Sequence, residues 1–378
     1  MFLEPIELKP KVIKLYHVSM RLKSSFETSG WRTVDRRSIV VEVAFENGVV
    51  GYGEVTAGDG PWFSYETIET SWHIIRDYIA PILLRRSIRH PMEVYDALSP
   101  IRGHNMAKAG VEEAYWDAYA KALGKPLASV IGGVRGRVEA GGSIGIIGDL
   151  NRLLKAVGEY MAEGYRRVKI KIKPGWDVDV VKAVFREYPD VRLQVDANAS
   201  YTLNDVEVFR RLDEYGLLMI EQPLGYDDLV DHAELQRVLK TPICLDESIR
   251  GLSDVKAAYR LGSCRVVNVK PGRVGGVRQS IEINNYCRSV NIPIWIGGML
   301  ETGIGRGFQV ALAALDNVKY PNDIGASSRY YHEDIVEPPW SLNKDGTISV
   351  PNRPGIGVDV VEPRLRKYTV STLSIRSR

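Results

Sequence analysis

Five ionisable residues, Lys171, Asp196, Glu221, Asp246 and Lys270, follow one another at intervals of 25, 25, 25 and 24 residues. A strand of about 5 residues, a helix of about 11 and two short connections fill such an interval. Each of the five therefore falls at the equivalent point of a repeated β/α unit. Such units build a parallel barrel, and the C-terminal ends of barrel strands converge on one site. The spacing predicts an α/β protein with a (β/α)8-type, TIM-like barrel, three carboxylates standing between two lysines at its mouth.

A chain of 378 residues exceeds the roughly 250–300 at which a single core stops growing, which leaves room for a second domain. With 50 Lys+Arg against 47 Asp+Glu the formal charge is +3, and no basic run is interleaved with aromatics, so no nucleic-acid partner is expected. The opening MFLEPIELKPKVIKLY mixes charge among its apolar residues, and no stretch approaches 18 uninterrupted apolar residues. No membrane partner is expected, and the expected location is cytoplasmic. Cys244, Cys264 and Cys287 have neither metal-site nor redox-pair spacing and read as buried apolar residues.

Residues 1–131 read as an α+β domain. Lys11–Met20 alternates loosely, and Ser38–Glu54 holds two β-branched runs around Glu46-Asn47-Gly48, a hairpin signal. Helical periodicity follows from Ser64 to about Leu123, as in MAKAGVEEAYWDAYAKA. Residues 132–330 alternate short apolar runs with amphipathic helices. The expected strands are Glu139–Ile146, Arg167–Ile172, Arg192–Asp196, Leu217–Glu221, Ile243–Asp246, Val266–Lys270 and Ile294–Gly297, with a weak eighth at Asp323–Gly325. Residues 331–378 are expected to leave the barrel and pack back on the first domain.

In Val168–Lys173 the sequence alternates, so Val168, Ile170 and Ile172 share one face and three lysines the other. A lysine-guarded edge strand would read the same way. Arg192–Asn198 repeats the logic, with Gln194, Asp196 and Asn198 on one face. Asp196, Glu221 and Asp246 each end an apolar run, LQVD, LLMIE and ICLD, where an unpaired carboxylate is costly to bury. Any one of them alone would serve as a helix N-cap. Three in register repel unless a cation lies between them, and oxygen ligands without His or Cys suit Mg²⁺, or Mn²⁺, over Zn²⁺. Asn268 and Lys270 share a face, and the glycines of Pro271–Gly276 let backbone approach a ligand.

A divalent cation flanked by two lysines suits removal of a proton next to a carboxylate, where the enediolate that forms needs stabilising. A lysine base must fall from about 10.4 toward about 7–8, roughly 4 kcal/mol. Lys169, on the same face as Lys171, and the cation would both push that way. From the second and sixth strands, Lys171 and Lys270 face each other across the barrel.

At these residues the chain resembles the enolase superfamily, muconate-lactonising subgroup, in its N-acylamino acid racemase and o-succinylbenzoate synthase branch. The matching motifs are Lys169-Ile170-Lys171, Asp196-Ala197-Asn198, Glu221-Gln222-Pro223, Asp246-Glu247-Ser248, the run from Asn268 to Gly276, and Gly297-Gly298-Met299-Leu300-Glu301-Thr302-Gly303. The resemblance implies metal ligation by Asp196, Glu221 and Asp246, acid/base catalysis by Lys171 and Lys270, and support from Lys169, Asn198 and Glu247. It also implies substrate contacts at Ser143 and at the backbone of Gly298, Met299 and Leu300. In the synthase's dehydration one lysine is base and acid while the other stabilises the enediolate; in the racemase both exchange protons.

Implied too are a small carboxylate substrate, a homo-oligomer (octamer or dimer), and cap loops at Ser24–Trp31 and Val55–Tyr65 that close over the site with Phe26, Trp31, Trp62 and Phe63 as apolar walls. Muconate cycloisomerisation stands as an alternative, and a non-catalytic binding barrel is disfavoured because the constellation is intact. Dipeptide epimerases carry Asp-x-Asp where Pro321–Gly325 offers only Asp323, and mandelate-type relatives use His where Lys270 stands.

Overall fold

In the computed structural model, which describes residues 5–376, the hairpin at Glu46-Asn47-Gly48 joins Arg32–Phe45 to Val50–Val55, with Gly48 at φ +84° in the left-handed turn position. Pro10–Glu27 pairs on the other side of Arg32–Phe45, and Thr369–Arg376 pairs antiparallel outside that, Val12 opposite Arg376. Pro10–Glu27 is longer than the expected loop allows: Ser24–Glu27 belongs to the strand, and only residues 28–31 turn. Phe26 and Glu27 still find partners in Thr33 and Arg32 across an irregularity, so the ladder resumes beyond it.

Helix Asn105–Ala122 lies across this sheet and is buried almost all round, as its alanine-rich sequence allows. The contact requires two glycines of the third strand. A Cβ on Gly51 would stand 1.9 Å from the Ala114 carbonyl oxygen, and one on Gly53 would stand 2.0 Å from that of Gly110. Backbone meets backbone there.

Seven parallel strands follow, Gly142–Ile144, Val168–Lys171, Leu193–Asp196, Ile220–Glu221, Ile243–Leu245, Val266–Val269 and Ile294–Ile296, each hydrogen-bonded to its sequence neighbour; the first and last do not pair with each other, so the sheet is a half-barrel where the spacing predicts a closed barrel. Their apolar residues and the helices between them, such as Leu150–Ala162 with Leu153, Val157 and Tyr160 turned inward, form the core. Two strand expectations need correction. Glu139–Ile146 divides, because Arg137–Glu139 pairs antiparallel with Thr347–Ser349 and only Gly142–Ile144 joins the parallel sheet. Asp323–Gly325 is not a strand. Instead single bridges run from Ile294 to Val318 and from Ala140 to Asn322, and the Asn322 side chain accepts from Ile296 N at 2.8 Å in place of a backbone carbonyl.

Cap carboxylates plug the N-termini of two barrel helices. Glu54 accepts from Thr302 Oγ1 at 2.6 Å and Gly305 N at 3.0 Å, at the start of Gly303–Ala313. Glu112 accepts from Val277 N at 2.8 Å and Arg278 N at 3.0 Å, at the start of Val277–Ser289. Negative charge is favourable at a helix N-terminus, so these pairs fix the cap to the barrel. The three cysteines are buried and free, and no described helix is long and apolar enough to cross a membrane.

Candidate active site

Strand register delivers the constellation. Lys171 is paired with Asp196 on the adjacent strand, and Asp196 with Glu221 on the next. Asp246 and Lys270 each stand one residue past their strands. One oxygen from each of Asp196, Glu221 and Asp246 lies within 4.8 Å of the others, and all three residues are fully buried. Three carboxylates this close, in a medium that penalises charge, need cations among them.

The protein supplies part of that charge. Lys171 Nζ lies 2.6 Å from Asp196 and Lys270 Nζ 2.7 Å from Asp246, which also accepts from the Arg273 guanidinium. Lys169 Nζ is shared among Asp323 at 2.7 Å, Glu221 at 2.9 Å and Asp196 at 3.4 Å. Glu221 accepts further from Gln194 and from Asn268, both at 2.7 Å. Asn198, at φ +44°, donates its backbone N–H to Asp196 and its amide to Glu247, each at 3.0 Å.

Burial pushes the Glu221 carboxyl up to about 8, with Asp196 adding to the rise. Burial likewise lifts Glu247 to about 7, helped by Asp246 and Asp196. Asp196 goes the other way, since Lys171 and Lys169 outweigh its burial. For Lys270 burial lowers the pKa, but Asp246, Glu247 and Glu221 together reverse that and hold it above its ordinary value. The downward shift expected of a lysine base is thus not produced by the protein's own charges, because the carboxylates around Lys270 outnumber the nearby cations.

Above these groups lies a cavity of about 350 Å³ between barrel and cap. Ser143, Lys169, Lys171, Asn198, Lys270, Gly298, Met299 and Leu300 line it from the barrel; Phe26, Trp31, Trp62 and Phe63 line it from the cap. Leu300 takes φ +58°. Asp196, Glu221, Asp246 and Glu247 are not among its walls. Buried Asn198 Oδ1 and Glu247 Oε2 have no hydrogen-bond partner in the structure, polar capacity that a bound group can take up.

Sequence reasoning missed the far side of the cluster. Asp323 accepts from Arg167 at 2.8 Å and pairs with Lys169, while Trp295 lies under both cations, 5.0 and 4.9 Å from ring centre to Arg167 and Lys169. The two-residue period reaches Arg167 from Lys169 and Lys171, and following it one step back would have found this residue. Gln194 and Asn268 were visible on the lysine and carboxylate faces, without a sign that both serve Glu221.

Known proteins resemble this chain over nearly its whole length. Residues 12–132 match the N-terminal domain of the mandelate racemase / muconate lactonizing enzyme family, and residues 152–364 match the enolase C-terminal domain-like family. An o-succinylbenzoate synthase of Geobacillus kaustophilus is 49% identical over 355 residues, 94% of this chain and 94% of that protein. An N-succinylamino acid racemase of Thermus thermophilus is 43% identical over 364 residues, 96% of this chain and 98% of that one. The crystal structure of an enolase superfamily member from Listeria innocua is 42% identical with a TM-score of 0.95, covering 98% of this chain and 100% of its own. Matched in both parts, and by enzymes at such identity, the chain belongs to the enolase superfamily, with the two-domain organisation of mandelate racemase and muconate lactonizing enzyme.

Proposed function

We propose that the protein removes a proton α to a substrate carboxylate, as an o-succinylbenzoate synthase, an N-succinylamino acid racemase, or both. The observation that carries this reading is the pair Lys171 and Lys270, each bound to its own aspartate and both opening on one cavity. Residues 1–131 act as the capping domain, 132–330 as a (β/α)7β barrel closed through the 318–323 segment, and 331–378 as a return to the cap. We read the molecule as a cytoplasmic homo-oligomer.

Asp196, Glu221 and Asp246 would hold Mg²⁺, or Mn²⁺: three buried carboxylates with oxygens within 4.8 Å fit a hard cation better than they fit one another. When bound, the cation offsets the carboxylates that face the lysines and the negative charge that gathers on the substrate's carboxylate oxygens. Lys171 and Lys270 take and return the α-proton, from opposite sides in racemisation. In dehydration one of them does both transfers while the charge of the other stabilises the enediolate. Lys169 holds positive charge beside Lys171, while Asn198 and Glu247 brace the loops after the third and fifth strands. The aromatic cap walls keep water from the reacting carbon.

Dipeptide epimerisation fits less well, since the only carboxylate of Pro321–Gly325, Asp323, is already engaged by Arg167 and Lys169. Proton NMR of N-succinyl-L-phenylalanine with the protein and Mg²⁺ in D₂O tests the reading. Loss of the α-proton signal together with optical rotation is the racemase outcome. An unchanged spectrum, with no conversion of the cyclohexadiene substrate of the synthase either, would sink the proposal.

A further inference from the structure

The residue after Glu221 is held in a strained conformation. Gln222 is fully buried and takes φ +35°, in the left-handed region that glycine alone enters freely. A glycine would meet the backbone requirement of this turn, so the glutamine answers a different requirement through its side chain.

That side chain is engaged at every polar position. Its Oε1 accepts from Asp246 N at 2.9 Å and from Ser248 N at 3.3 Å, while its Nε2 donates to Ser248 Oγ at 2.6 Å and to the Gly225 carbonyl at 3.0 Å. Two lone pairs and two N–H groups are all that an amide offers. By contrast Gln194 and Asn268, which donate to Glu221, each leave their oxygen unpaired. Ser248 extends the link, donating to the Asp228 carbonyl at 3.0 Å.

The backbone of Gln222 continues the pattern. Its N–H donates to the Cys244 carbonyl at 2.8 Å, on the strand that leads to Asp246, and its carbonyl accepts from Ala199 N at 2.9 Å, in the turn after Asp196. One residue therefore joins the ends of the third, fourth and fifth barrel strands, where Asp196, Glu221 and Asp246 stand. None of these bonds touches a carboxylate, so Gln222 sets where the three stand without altering their charge.

We infer that Gln222 is a positioning residue for the metal site: it fixes the separation of Glu221 and Asp246, and with it the size of cation the carboxylates accept. The inference rests on the reading of Asp196, Glu221 and Asp246 as ligands. Mg²⁺ demands a tight, near-ideal octahedron of oxygens, whereas Ca²⁺ accepts more ligands at longer and more varied distances. A rigid spacing favours the first ion, and a slack one admits the second.

The test is calorimetric titration of the metal-free, full-length protein with Mg²⁺ and separately with Ca²⁺. Q222L removes the amide; Q222G removes it too but suits the left-handed backbone, so the fold is spared the strain. S248A deletes one of the amide's bonds and leaves Gln222 in place. G53A, a packing defect in the cap, controls for lost stability alone. Mg²⁺ affinity should fall about 10–100-fold in both Gln222 variants, the usual cost of removing a partner from outside the ligand shell, while Ca²⁺ affinity changes by less than about threefold. The preference for Mg²⁺ over Ca²⁺ should narrow accordingly, S248A should narrow it by a smaller factor, and G53A should keep it. Equal losses for the two ions in the Gln222 variants, or an unchanged preference in S248A, overturns the inference. If the natural protein binds neither ion, the ligand reading itself fails and the inference falls with it.

Discussion

The ammonium of Lys270 stands 4.4 Å from the centre of the Phe63 ring. Lys270 comes from the barrel and Phe63 from the cap, so a general acid/base candidate and a lid residue share one contact. Lys171 has the corresponding neighbour in Phe26, at 5.8 Å. A desolvated cation over an aromatic face gains about 2 kcal/mol. Phe63→Ala should therefore lower kcat/KM by about thirtyfold while Mg²⁺ affinity, measured by calorimetry, stays within twofold. A loss of metal binding of the same size would show that the ring acts on the carboxylates instead.

Lys171→Ala and Lys270→Ala should each abolish racemisation, with losses of at least about 10²-fold, the usual worth of a positioned acid or base. Metal binding should survive, while the buried aspartate left behind should lower thermal stability. Deuterium incorporation into each enantiomer, followed by NMR, separates the two lysines, and racemisation retained in either variant removes that residue from the proton path.

Asp246→Asn leaves Lys270 and Arg273 buried beside a neutral amide. Removing one member of a buried charge cluster costs about 3–5 kcal/mol, so the urea midpoint should fall, and Mg²⁺ binding should weaken in the same variant. Unchanged calorimetric affinity would exclude Asp246 as a ligand.

Glu112 offers a test of pH dependence away from the site. Burial lifts its carboxyl to about 7 against an ordinary 4.5, even though two backbone N–H groups and Trp116 Nε1 donate to it. The folded state then holds its proton more tightly than the unfolded chain does. Its contribution is full below pH 4.5 and is lost as pH rises toward 7, by about 3 kcal/mol. E112Q should be less sensitive than the natural protein across that window when denaturation is followed at both ends of it. Parallel pH profiles would show that the carboxyl ionises normally.

Gly53→Ala should destabilise by about 1–3 kcal/mol, since the added methyl meets the Gly110 carbonyl and must push strand and helix apart. Urea denaturation checks it; an unshifted midpoint would mean that the sheet and helix can part at no cost.

The period of the sequence was enough to find the parallel strands, because one residue at each strand end carries charge where its neighbours are aliphatic. The same property puts Lys171, Asp196 and Glu221 in register. It failed where side chains do backbone work. Around Asn322 the sheet continues through an amide side chain and single bridges, and no alternation betrays that. It failed again for the role of Asp323, whose partner Arg167 lies 156 positions away, beyond any local pattern. The extension of Pro10–Glu27 through Ser24–Glu27 was equally hidden, since polar, serine-rich sequence reads as loop until a partner strand is supplied.

Glu54 and Glu112 reach out of the cap into the first turns of two different barrel helices. A body pinned at two separated points cannot swing about either one. Admission and release of substrate would then fall to the short segments at residues 28–31 and 58–64, which carry the cavity-lining Trp31, Trp62 and Phe63. The turnover ceiling of this enzyme would be set by how fast a few aromatic side chains clear the mouth, and the large rigid remainder would serve as the frame in which that small door moves.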